Sequence, residues 1–141
     1  MSNGRPVHFA RWVFNLAGIF GVLEVFPLYF LEHIIGRAQP PAITHPGFYY
    51  GFVGVTLAWQ IAFFIIASDP LRYVPLMPMA CLEKLLYSLA IFVLYAEGRA
   101  PASNLGTASF DLFWFVLFVI VWIRLRRVDS AWNDPNRRRI E

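Results

Sequence analysis

Four long apolar segments make up much of this sequence, and short connectors separate them. They cover about residues 12–31, 48–67, 77–96 and 109–125. A helix that crosses a bilayer needs about 20 predominantly apolar residues, and each segment meets that length. The sequence therefore predicts an all-α polytopic membrane protein, a bundle of four transmembrane helices that forms a single domain over residues 1–141 and ends in a basic tail at about 126–141.

The composition excludes several other classes of protein. The chain is 58% hydrophobic and 15% charged, whereas soluble domains are about 45–50% apolar and about 25% charged. A domain of 141 residues cannot bury that much apolar surface, so lipid must be its main solvent. Cys81 is the only cysteine, which excludes an intramolecular disulfide and any zinc or iron–sulfur centre built on cysteines.

The arginine distribution predicts an orientation. The N-terminal segment, the middle connector and the C-terminal tail lie on one side of a four-span protein, and the opposite side carries only Arg37 and Arg99. The positive-inside rule therefore places both termini in the cytoplasm, in the inner or cell membrane if the protein is bacterial. A basic cluster after an apolar segment is a topology signal and does not indicate nucleic acid. The arginines of the first side are Arg5, Arg11, Arg72, Arg124, Arg126, Arg127, Arg137, Arg138 and Arg139.

The connectors between the spans are predicted to be turns. Pro40 and Pro41 interrupt the first, Pro70 the second and Pro101 the third. Proline removes a backbone donor and pushes the preceding residue toward extended geometry, so none of these segments continues a helix.

Glu24 is the first polar residue of interest, because ionisable side chains at membrane depth are costly and usually face the bundle interior. Ala17, Gly21, Glu24 and Leu28 share one helical face, where small residues allow another helix to approach closely. Two interpretations stay open. Glu24 either carries a proton or binds a ligand, or it hydrogen-bonds a neighbouring helix and serves packing alone.

The third span contains Glu83, Lys84 and Tyr87. Glu83 and Lys84 are about 100° apart on a helix and are not expected to face each other, whereas Tyr87 shares a face with Glu83 and is expected to hydrogen-bond it. For Lys84, extension toward the cytoplasmic interface is favoured over a catalytic role. On the fourth span, a solvated or capping role is favoured for Asp111.

The second span has a polar face with Thr56 and Gln60. Gln60 is expected to bond across the bundle to Glu83 or Glu24. A second face carries Gly47, Gly51, Gly54 and Ala58, and its GxxxG spacing predicts close helix packing.

Together these residues predict a cavity inside the bundle. With a rise of about 1.5 Å per residue, the polar groups fall within a few ångströms of the membrane midplane on either side. No motif for a metal, a cofactor or a catalytic nucleophile accompanies them, so catalytic residues are unassigned and no cofactor is expected. The candidate ligand-binding residues are Glu24, Thr56, Gln60, Glu83 and Tyr87.

The segment 59–67, WQIAFFIIA, resembles the second helix of EXPERA-domain proteins, in which an aromatic residue and a glutamine precede a pair of phenylalanines. Those four-helix membrane proteins include sterol isomerases and sterol-binding receptors, so the resemblance implies a four-helix fold and a sterol-like ligand. Thr56 occupies the position of an expected acid, so the resemblance does not extend to the paired acids that would shuttle a proton. The chain also resembles small bacterial DoxX-like four-helix membrane proteins.

Three functional hypotheses follow. The first is binding of an apolar, sterol-like or isoprenoid-like ligand in the cavity, with the bilayer as the other partner. The second is a small proton-coupled transporter. The third is a structural subunit that joins a homo-oligomer or a membrane complex through the glycine face of the second span.

Overall fold

The described part of the chain is almost entirely helical. The computed structural model describes residues 4–39 and 42–132, and side chains as far as residue 127. No strand occurs in these ranges, which confirms the all-α prediction. The five α-helices are α1 (Gly4–Val25), α2 (Glu32–Ala38), α3 (Pro46–Ser68), α4 (Met77–Ala96) and α5 (Asn104–Trp132), and 3₁₀ segments Phe26–Phe30 and Val74–Leu76 extend α1 and precede α4.

Within the described part of the chain, four segments are long and apolar enough to cross a membrane by their length and composition. They are Gly4–Phe30, Pro46–Ser68, Val74–Ala96 and Asn104–Arg127. The chain is therefore a multi-pass membrane protein with four spans, as the sequence predicted. The predicted orientation toward the cytoplasm stays a prediction.

The helices extend beyond the apolar segments that mark them. The first was predicted to begin near Trp12, but α1 begins at Gly4. Its added turns hold arginines and a histidine that point outward, while Ala10 packs into the core without exposed surface. Hydropathy marks only the part of a helix that matches lipid, so polar turns at either end are missed.

The first connector contains a helix that the sequence interpretation missed. α2 covers Glu32–Ala38, with Glu32 in its first turn and Arg37 in its last, the placement that suits a helix dipole. Pro40 and Pro41, on which the prediction of a turn rested, lie outside the described residues.

The four long helices form a bundle that is closed on three sides. α1 packs against both α3 and α5, and α4 packs against α5, whereas α3 and α4 meet only over a short stretch. Phe14, Phe63 and Phe118 are fully buried where α1, α3 and α5 converge. The Phe14 and Phe118 rings stack at 4.4 Å between centroids, and Phe63 meets Phe118 edge-on at 5.0 Å. We call these three residues the aromatic core.

Candidate functional site

A cavity of about 310 Å³ lies between the four long helices, beside the aromatic core. All five candidate residues predicted from the sequence line it, contributed by α1, α3 and α4. Polar side chains on separate apolar spans converge here because each is less costly inside the bundle than against lipid. The structure adds further lining residues that were not proposed as ligand contacts, among them Gly21, Phe52, Trp59, Lys84, Thr107 and Asp111.

Lys84 lies at the centre of the charged wall of the cavity. Its side chain is buried, and Nζ lies 3.1 Å from Asp111 Oδ1 and 3.4 Å from Glu83 Oε2. The same ammonium lies 5.5 Å from the centre of the Phe63 ring. The predicted extension of Lys84 toward the interface is therefore wrong, and so is the solvated role of Asp111. The packing of α4 on α5 brings the two together, and no pattern within one span predicts that neighbour.

Glu83 also differs from its predicted contacts. The long Lys84 side chain folds back to it, although the two Cα positions point apart on the helix. Tyr87 does not bond Glu83, and its hydroxyl lies 3.1 Å from Thr107 Oγ1 on α5. Since Thr107 donates its own proton to the Asn104 carbonyl, Tyr87 is the donor in this bond. Glu83 Oε2 is buried and accepts no hydrogen bond within the described part of the chain.

Gln60 is fully buried, and only one of its two polar side-chain atoms has a hydrogen-bond partner among the described residues. Its Nε2 donates to the Thr56 carbonyl at 2.9 Å, within α3. Its Oε1 has no hydrogen-bond partner among the described residues. The predicted bond to Glu83 or Glu24 is therefore wrong. The cavity instead holds one buried acceptor atom without a donor among the described residues, Gln60 Oε1, and a second buried oxygen, Glu83 Oε2, that faces the Lys84 ammonium at 3.4 Å.

Small residues bring the helices together on α1, as predicted for its Ala17–Gly21 face. Ala17 is buried, and a Cβ at Gly21 would collide with the Gln60 side chain. Gly18, which the sequence interpretation did not select, has room for no Cβ either, because Phe64 ring atoms would lie 2.8 Å from it.

The glycine face of α3 has more open space around it than the small-residue face of α1. A Cβ at Gly47 or Gly51 would meet nothing within 4 Å, and one at Gly54 would meet only the Tyr29 hydroxyl. The prediction of close packing is wrong for Gly47 and Gly51 in the interior of the bundle, because both face outward, whereas Gly54 lies beside Tyr29.

Glu24 lines the cavity but remains exposed at its opening. It forms no hydrogen bond or ion pair with the described residues, and it lies within electrostatic range of Lys84 and Asp111. The cavity thus gathers three carboxylates and one ammonium, contributed by α1, α4 and α5.

The opening of the cavity faces the side of the bundle. Because α3 and α4 contact each other only over a short stretch, Val55 and Phe52 on α3 line the cavity while staying largely exposed. The Phe52 and Tyr87 rings stack across this gap at 6.1 Å between centroids. A molecule dissolved in the membrane could reach the polar wall from the side, past this ring pair.

No family model, curated protein or solved structure matches the chain. The EXPERA and DoxX resemblances stay predictions.

Proposed function

We propose that this protein binds an amphipathic lipid of the sterol or isoprenoid class, with its polar head in the cavity and its apolar body toward the gap between α3 and α4. The observation that carries the proposal is a polar wall at membrane depth inside an otherwise apolar cavity that opens sideways. Small-molecule sites have this composition, with apolar walls and a few placed polar groups.

An unpaired acceptor supports a head group that carries a hydroxyl. Gln60 Oε1 is buried without a donor among the described residues, and a buried polar atom left unsatisfied costs about 1–3 kcal/mol. A hydroxyl supplies the missing proton, which favours a sterol or an isoprenoid alcohol over its ketone or ether. The cavity volume of about 310 Å³ is at the small end for ligand sites, so the head group fits inside and the remainder extends outward.

The test is photolabelling of the purified chain in mild detergent with a photoreactive sterol and a photoreactive polyisoprenol. We expect saturable labelling by at least one of them, with competition by the unlabelled alcohol and far weaker competition by its methyl ether. Gln60→Met removes the acceptor at nearly constant shape, and labelling is expected to fall roughly fivefold or more.

The matched control is Gln39→Met, the same change at an exposed position outside the cavity. It should label like the wild type. Equal labelling of both variants, or equal competition by alcohol and ether, would contradict the proposed site.

A second function, proton-coupled transport, is favoured by the excess of three carboxylates over one ammonium in the cavity. Glu24→Gln is expected to keep the fold, because the amide has nearly the same shape, and to change the pH dependence of photolabelling, because an amide cannot release a proton. Glu97→Gln, at an exposed ion pair with Arg99, is the control. A wild-type pH profile for Glu24→Gln would remove Glu24 as a proton carrier.

In the third hypothesis the protein is a structural subunit, and the outward glycine face of α3 is its docking surface.

A further inference from the structure

Among the described residues, exposed arginines gather at the end of the bundle where α1 begins and α5 leaves the apolar region, and five of them form one set. Two contacts fix this placement. Arg11 Nη2 donates to the Ser68 carbonyl at the end of α3 (3.3 Å), and the Arg124 guanidinium lies 5.3 Å from the centre of the Phe9 ring. We call the set the arginine collar: Arg5, Arg11, Arg72, Arg124 and Arg126.

The collar is not neutralised by the described side chains. Asp69 is the only acid at this end in residues 4–39 and 42–127, and its Oδ1 accepts the backbone N–H of Arg72 at 3.4 Å. No collar guanidinium forms an ion pair with a described carboxylate. At the opposite end the charges balance, since Arg37 and Arg99 accompany Glu32 and Glu97.

Aromatic rings contact three of the five collar arginines. Arg72, Arg124 and Arg126 lie over the rings of Tyr73, Phe9 and Trp122 at 5.7, 5.3 and 5.5 Å. A guanidinium stacked on a ring keeps N–H donors at its edge for a planar or tetrahedral anion. Next to Arg11, the side chain of Trp12 is 67% exposed, as in the aromatic belt at a membrane interface.

We infer that the arginine collar binds the phosphate groups of anionic phospholipids. The charges lie at the end of the apolar spans, lack protein counter-ions among the described residues, and present the fork of donors that pairs with phosphate oxygens. This site lies at the end of the bundle and is independent of the cavity, so it stands whether or not the cavity binds a sterol or isoprenoid.

The test is native mass spectrometry of the full chain in mixed micelles that contain equal amounts of phosphatidylglycerol and phosphatidylcholine. We expect the wild type to retain phosphatidylglycerol preferentially. Each interfacial arginine contributes a factor of about five, so Arg11→Gln with Arg124→Gln should reduce the enrichment at least tenfold. Arg37→Gln with Arg99→Gln is the matched control at the opposite end and should leave it unchanged.

A second pair, Arg5→Gln with Arg72→Gln, repeats the test without touching the Arg11 hydrogen bond to Ser68, in case the first pair unfolds. Equal retention of the two lipids, or an equal loss from both ends, would overturn the inference. Displacement of the lipid by millimolar inorganic phosphate would identify free phosphate as the ligand and would also overturn it.

Discussion

Lys84→Met is expected to lower the free energy of unfolding by about 3–5 kcal/mol, the range for a buried ion pair that loses one partner. The substitution keeps the length and apolar stem of the side chain but leaves Asp111 and Glu83 facing each other without a cation. Both carboxylates are largely buried, with 16% and 13% of their side-chain surface exposed. Denaturant titration in mixed micelles, followed by tryptophan fluorescence, measures the loss.

The double variant Lys84→Met with Asp111→Leu distinguishes the loss of a specific ion pair from a general loss of packing. It removes both charges, so its cost should be smaller than the sum of the two single costs by about 1–3 kcal/mol. Arg99→Gln breaks an ion pair in which 69% and 50% of the two side chains are accessible. Because such an exposed pair contributes little, this control should change stability little. Additive costs for Lys84 and Asp111 would show that their contact contributes nothing specific.

Gly21→Leu is expected to destabilise the bundle by about 1–3 kcal/mol, and by more if the backbone cannot move. A side chain at Gly21 enters the volume of Gln60, so α1 and α3 must separate or Gln60 must move into the cavity. The same variant should therefore also reduce photolabelling. Thermal unfolding in detergent and labelling by the photoreactive alcohols measure the two effects.

Gly51→Leu is the matched control, the same change where a Cβ meets nothing within 4 Å. It should leave the melting temperature of the monomer unchanged. A loss of stability as large as that of Gly21→Leu would show that the glycine face of α3 is packed. If the particle in detergent also became smaller, the packing would be between the subunits of an oligomer.

Much of this architecture follows from the sequence because the bilayer imposes strict requirements on a chain. A span must be long and apolar, so four helices could be located from hydropathy alone. Polar side chains within them must avoid lipid, so residues as distant in sequence as Glu24 and Glu83 could be assigned to one cavity.

The contacts inside the cavity could not be predicted in the same way. Helical periodicity shows which residues share a face, but not which helix lies opposite, and the Lys84–Asp111 contact depends on α4 packing against α5. Glycine spacing is similarly ambiguous. It predicts that a helix can approach closely, yet Gly18 and Gly21 are used inside the bundle while Gly47 and Gly51 face outward.

The uneven packing of the bundle divides the helices into two pairs. α1 pairs with α3 and α4 pairs with α5, so the chain consists of two helical hairpins, each local in sequence. Glu83, Lys84 and Asp111 all belong to the second hairpin, which therefore supplies a cation for its own acids. Glu24 and Gln60 belong to the first. The cavity is lined by residues of both hairpins, so it forms only where the two meet.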